Sequence, residues 1–106
     1  MLFILGRGFD IRTLAALRRM IAAGATPDVW LLAFDNGLED SPARAAKTAA
    51  NEAALRGLVP AARIRQVPIG IAGTGGATET SRNTRTAIQA AGAVDEYDHV
   101  VVDIRA

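Results

Sequence analysis

The chain has no cysteine, a single lysine at Lys47 and few aromatic residues. Without cysteine there can be no disulfide bond and no thiolate zinc site. Its apolar runs all fall well short of the ~20 residues that a membrane-spanning helix needs, and no signal-peptide pattern precedes the first apolar segment. These absences predict a protein of the cytoplasm without a membrane partner.

Charge of neither sign dominates, because 12 basic residues face 11 acidic ones and the net charge is +1. Acidic and basic residues are interspersed, so no basic stripe forms and the sequence argues against binding to duplex nucleic acid. The excess of arginine over lysine, together with abundant alanine, is typical of a GC-rich bacterial genome. Arginine is also the better bidentate donor to phosphate, so composition leaves both explanations open.

Strand and helix patterns alternate along the 106 residues, which is the length of one small domain. Apolar, strand-like runs occupy 2–5, 29–34, 62–71 and 99–104, and helical spacing occupies 11–21, 43–58 and 81–91. This rhythm predicts an α/β, Rossmann-like parallel sheet of about four strands in the order 3-2-1-4, sandwiched by helices. Arg63, Arg65 and Pro68 make the third strand an edge strand.

The end of the chain is unusual for such a fold. The run from His99 to Ile104 is apolar enough for an interior strand, yet only Arg105 and Ala106 follow it. A doubly wound domain normally adds a covering helix at this point. We therefore expect a fragment of a longer protein, a homo-oligomer, or a partner chain that covers the fourth strand.

The first strand ends in Gly6-Arg7-Gly8 and leads into a helix. Backbone N–H groups at a helix start, next to glycines, predict an anion site. The segment is neither a complete dinucleotide fingerprint nor a Walker loop. Asp10 is predicted either to cap the helix or to contact the ligand. The order 3-2-1-4 brings Asp103 to the same edge of the sheet, with Asp35 at the end of strand two, where a carboxylate can hold a ribose hydroxyl.

Three short segments resemble the PP-loop ATP pyrophosphatases, a family that includes the 7-cyano-7-deazaguanine synthases. L-G-R-G-F-D-I at 5–11 is similar to the family's S-G-G-x-D-S loop, W-L-L-A-F-D-N-G at 30–37 to its second-strand motif, and S-R-N-T at 81–84 to a later substrate-side motif. The resemblance implies an adenine nucleotide, ATP or a relative, with Mg²⁺. The residues that it assigns to the nucleotide are Gly6, Arg7, Gly8, Phe9, Asp10, Asp35, Gly37, Arg82, Asn83 and Asp103.

The loop departs from the family where its hydroxyl donors should stand. Gly6 and Ile11 replace its two serines, and Arg7 replaces its first glycine. Arg7 either restores donors to phosphate through a charge-assisted fork or fills the pocket. The favoured interpretation is an adenine-nucleotide-binding or sensing domain with a degenerate catalytic loop.

Three alternatives stay open, namely an active adenylating ATP pyrophosphatase, a non-catalytic interaction half-domain completed by a partner chain, and a Rossmann cofactor enzyme. The cofactor enzyme is the least supported, because no candidate catalytic base accompanies Gly6, Gly8 and Asp35. The sequence identifies no catalytic residue and no metal-binding set beyond Asp10, Asp35 and Asp103.

Overall fold

A computed structural model describes residues 1–6, 8–33, 42–68, 85–86, 88–89, 92 and 94–104. The elements are β1 (Leu2–Gly6), α1 (Ile11–Ala22), β2 (Asp28–Ala33), α2 (Pro42–Leu58), β3 (Ile64–Pro68) and β4 (Val100–Asp103). Short 3₁₀ turns at Ala61–Arg63 and Val94–Glu96 precede β3 and β4. Residues 85, 86, 88 and 89 are also helical, within the range expected for a third helix. Among the described residues, no helix has the length and apolar character needed to cross a membrane.

The strands form a four-stranded sheet in the order β3-β2-β1-β4, and all three strand pairs are parallel. The predicted α/β fold and strand order are therefore confirmed, including the position of β3 at an edge. β3 begins at Ile64, later than expected, because the chain first makes a 3₁₀ turn after Pro60. The register sets Leu5 of β1 opposite Asp103 of β4.

The sheet buries apolar side chains on both faces, as continuous apolar strands predict. On the first face, α1 and α2 cover alternate residues of the central strands. This core consists of Phe3, Leu5, Phe9, Leu14, Leu17, Val29, Leu31, Leu55 and Val59. On the second face Leu2, Ile4, Trp30, Leu32 and Val67 form a smaller cluster, against which Ile88, Val94 and Tyr97 pack.

Helix α1 illustrates how the local sequence sets the packing. Leu14 and Leu17 lie one turn apart and are buried against the sheet, whereas Ile11 at the helix start is 76% exposed. Gly24 follows the helix with a φ of +97°, a left-handed conformation that glycine adopts without the steric penalty of a side chain. Gly24 therefore lets the chain turn away directly after the end of α1.

β4 lies at an edge of the sheet, as the order 3-2-1-4 requires, and not in the interior, as its apolar composition suggested. Among the described strands it pairs with β1 alone. Its first-face side chains, Val101 and Asp103, are at least partly covered, while Val100 and Val102 are 36% and 54% exposed. Ile104 continues the exposed row at 43%. Apolar composition alone predicts a strand but cannot tell how many neighbours it has.

Candidate functional site

The connection from β1 to α1 is short and anchored on both sides. Gly6 is buried at the end of β1, and the Phe9 amide donates to the Gly6 carbonyl at 3.2 Å. The Phe9 ring is 1% exposed and belongs to the first-face core. From α2, the Asn51 side-chain amide donates to the Phe9 carbonyl at 3.1 Å. The backbone of the connection is thereby fixed relative to the sheet and to α2.

Asp10 is the N-cap of α1. Its backbone is extended, with φ −76° and ψ 147°, and its Oδ1 atom accepts the Arg12 amide hydrogen at 2.7 Å. This is the usual way in which an aspartate satisfies an unpaired N–H group of the first helical turn. The Arg12 guanidinium also approaches Oδ1 at 3.3 Å, but that side chain is 87% exposed. Such a pair contributes little to stability.

Asp103, at the end of β4, reaches the same helix start. Only 8% of this residue is exposed. Its Oδ2 atom accepts the Asp10 amide hydrogen at 2.9 Å and the Thr13 hydroxyl hydrogen at 2.7 Å. The three residues, called the Asp103 clasp below, connect the last strand to the first helix.

The clasp changes the electrostatic interpretation of this helix start. An α-helix N-terminus favours negative charge, because its unpaired N–H groups and the positive end of the helix macrodipole lie there. Here the carboxylates of Asp10 and Asp103 already supply that charge. Asp10 accepts the amide hydrogen of Arg12, and Asp103 accepts the amide hydrogen of Asp10. A phosphate group would have to compete with two carboxylates for the same donors. The Asp10 amide in particular donates to Asp103 within the chain.

The clasp brings two carboxylates, Asp10 and Asp103, to the start of α1. Nowhere in the described part of the chain do three or more His, Cys, Asp or Glu side chains come together as metal ligands. Both carboxylates accept hydrogen bonds from the protein, which leaves them poorly suited to replace the water shell of Mg²⁺. No step is therefore assigned to a resident metal ion.

The structure brings five of the ten predicted site residues together at the carboxyl edge of the sheet, namely Gly6, Gly8, Phe9, Asp10 and Asp103. The other five lie outside the described residues: Arg7, Asp35, Gly37, Arg82 and Asn83.

Sequence reasoning missed Thr13 and Asn51. Thr13 has a recognisable signal, because it stands three positions after an N-cap and therefore on the first turn of the helix. Asn51 has none, since its partner is a backbone carbonyl 42 residues away in sequence.

Comparison of the chain with protein-family models, curated proteins and solved structures finds no match. The likeness to the PP-loop ATP pyrophosphatases accordingly rests on the three short motifs alone, and the fold stands on the sheet order and the packing described above.

Proposed function

We propose that this chain is an adenine-nucleotide-binding or sensing domain without catalytic activity, derived from a PP-loop ATPase fold. The observation that carries the proposal is the position of the clasp at the switch point of the sheet. Helices α1 and α2 lie on one face, and the chain that leads to β4 packs on the other. The connections from β1 and to β4 therefore lie on opposite faces of the sheet. Open α/β sheets form their ligand crevice at such a point, beyond the carboxyl ends of the two strands.

The chemistry of the clasp favours binding over catalysis. A PP-loop needs small residues and hydroxyl donors that grip pyrophosphate. Ile11 offers no hydroxyl, and the Asp10 amide donates to Asp103. The Asp10 amide is therefore not available as a donor to pyrophosphate.

Within the proposed site the nucleoside, rather than the phosphate, lies next to the carboxylates. Carboxylate oxygens accept hydrogen bonds from ribose hydroxyls, whereas phosphate beside Asp10 and Asp103 is repelled. In the proposal Arg7 and Arg82 neutralise the phosphate, and Asp35 lies near the ribose or base. Mg²⁺ enters only as a counter-ion that the nucleotide brings with its phosphates.

Isothermal titration calorimetry with ATP, AMP and cyclic AMP, each with and without Mg²⁺, tests this function. We expect saturable binding of at least one nucleotide. Arg7→Ala should weaken it by about tenfold or more, as expected for loss of a charge-assisted contact. Arg18→Ala is the matched control, because Arg18 is an exposed arginine on the outer side of α1. No binding of any nucleotide would overturn the proposal, and release of pyrophosphate from ATP would overturn its non-catalytic part.

The exposed row on β4 favours a second candidate, an interaction domain completed by another copy of the chain. Val100, Val102 and Ile104 are exposed, alternate along the chain and carry no charge. If two β4 strands pair antiparallel about Val102, Val100 of one copy lies opposite Ile104 of the other and the valines at the centre meet. Every exposed apolar side chain of the row then faces an apolar partner on the same face of a continuous sheet.

Because β4 has only four residues, this interface is small and the dimer should dissociate on dilution. Sedimentation velocity over a concentration series should show a monomer–dimer equilibrium, and Val102→Lys should leave only monomer, since edge lysines block strand pairing. Val101→Thr, on the other face of β4, is the control and should retain the dimer. A wild-type chain that stays monomeric at every concentration would exclude this candidate.

A further inference from the structure

A cavity lies on the second face of the sheet, opposite the face that carries the clasp. Its volume is about 350 Å³, and its walls include Asp28 and Trp30 of β2, Arg65 of β3, and Tyr97. Cavities of this size accept small organic ligands. Trp30 belongs to the second face of the sheet, whereas Asp103 contacts α1 on the first face. The cavity is thus distinct from the proposed nucleotide site.

Two aromatic rings and two guanidinium groups line this cavity. The Arg65 guanidinium carbon lies 5.9 Å from the centre of the Trp30 ring, a cation–π distance. The Tyr97 ring meets Trp30 edge to face, with centroids 6.4 Å apart and an interplanar angle of 88°. Trp30 is only 5% exposed, so a ligand touches its edge, and the half-buried Tyr97 ring offers the larger apolar surface.

The wall of the cavity includes two carboxylates, Asp28 and Glu96, and contacts within the protein engage Asp28. The Tyr97 hydroxyl donates to Asp28 Oδ2 at 2.9 Å, and Arg63 Nη1 lies 3.5 Å from Asp28 Oδ1. Arg63 is itself held, because Nη1 also donates to the Thr26 carbonyl at 3.2 Å. Asp28 therefore serves as the acceptor that fixes Tyr97 and Arg63 in place.

Because Asp28 is engaged, these contacts favour an anionic ligand over a cationic one. A cationic ligand would seek the face of Trp30, but Arg65 already provides a cation there. An anionic group instead meets two guanidinium groups, each with several N–H donors in a planar fork. We propose that this cavity binds a planar aromatic molecule carrying one carboxylate or phosphate group, with its ring against Tyr97 and the edge of Trp30 and its anion at Arg63 and Arg65.

The chain contains one tryptophan, so its fluorescence reports on this cavity directly. Benzoate and phenyl phosphate are the probes for the two anionic groups, and benzamide is the neutral isostere of benzoate. We expect a saturable change in Trp30 fluorescence with at least one anionic probe and none with benzamide. Equal responses to benzoate and benzamide, or no saturable response to either anion in the millimolar range, would overturn the proposal.

Arg65→Gln should raise the apparent Kd of the anionic probe by about tenfold, because a charged donor is lost, whereas Arg18→Gln on α1 should leave it unchanged. Glu96 lines the cavity, and Glu96→Gln should tighten binding because a repelling charge is removed. An unchanged Kd in Arg65→Gln contradicts the assignment.

Chemical-shift mapping on the wild-type protein needs no variant to fold. Amide signals of Asp28, Arg65 and Tyr97 should move on addition of the anionic probe, while those of Gly8 and Asp103 should not. Shifts confined to Gly8 and Asp103 would place the probe at the clasp and reject this cavity. Because the cavity and the clasp lie on opposite faces of the sheet, failure of one proposal is distinguishable from failure of the other.

Discussion

The Thr13 hydroxyl donates to the Asp103 carboxylate across 2.7 Å, although 90 residues separate the two in sequence. The same oxygen accepts the Asp10 amide hydrogen. A buried carboxylate with two donors is well compensated for its loss of hydration. Strand β4 is thereby bonded to the start of α1, and a carboxylate of the chain occupies the position where an external anion would bind.

Thr13→Val removes one donor to this carboxylate while keeping the shape of the side chain. We expect a loss of about 1–3 kcal/mol in the free energy of unfolding, because the buried Asp103 carboxylate then loses one of its hydrogen-bond donors. Urea denaturation measures it. Thr86→Val, at an exposed threonine, should change stability by less than about 0.5 kcal/mol. Equal effects of the two substitutions would show that the Thr13 hydroxyl contributes nothing specific.

Asp10→Ala removes the N-cap of α1. The Arg12 amide then loses its acceptor, and we expect a destabilisation of about 0.5–2 kcal/mol. Asp10→Asn should recover most of that loss, since asparagine caps as well as aspartate does. Thermal unfolding followed by circular dichroism ranks the stability of the wild type, Asp10→Ala and Asp10→Asn. If asparagine is as damaging as alanine, the negative charge of Asp10 matters more than its capping hydrogen bond.

Leu17→Ala creates a cavity beneath α1, because Leu17 is completely buried in the first-face core. Such a substitution costs about 2–5 kcal/mol, which is a large part of the stability of a domain of this size. Ile11→Ala on the same helix is the matched control, as Ile11 is 76% exposed and should tolerate the change. Chemical denaturation compares the two, and a comparable loss at both positions would argue that α1 does not pack on the sheet as described.

Tyr97 should ionise at a higher pH than a free tyrosine. Its hydrogen bond to Asp28 raises the pKa of the phenol, with further contributions from desolvation and from the negative charge of Asp28. Tyr97 is the only tyrosine of the chain, so absorbance at alkaline pH reports its titration alone. We expect a midpoint above 10.0, the ordinary value. Asp28→Asn should lower the midpoint toward that value; a wild-type midpoint at or below 10.0 would contradict the contact.

The raised pKa of Tyr97 makes the free energy of unfolding depend on pH in the alkaline range. Because the pKa is raised on folding, the protonated phenol is favoured in the native state. The contribution of Tyr97 is therefore fully present below the pKa of the unfolded chain and is lost as the pH rises through the folded pKa. Tyr97→Phe should remove this pH dependence, so that the stability curves of variant and wild type converge at strongly alkaline pH. Parallel stability curves over the whole alkaline range would exclude a pH-dependent contribution from Tyr97.

The amino-acid sequence by itself determined the fold class. Continuous apolar runs such as Val29–Leu32, separated by helical spacing, are compatible with few arrangements other than a parallel sheet with helical crossovers, because such strands must be covered on both faces. Local chemistry was equally readable. Asp10 caps α1 and Gly24 follows its end with a positive φ, as neighbouring residues alone can dictate.

Tertiary structure decided what the helix start does with its N–H groups. The glycines and the position of Asp10 predicted an anion site, but only the parallel pairing of β1 with β4 brings the Asp103 carboxylate onto the Asp10 amide. The exposed row on β4 and the cavity between Trp30, Arg65 and Tyr97 also arise from strand neighbours. Contacts between residues far apart in the chain depend on which elements pack together, and no local pattern records that choice.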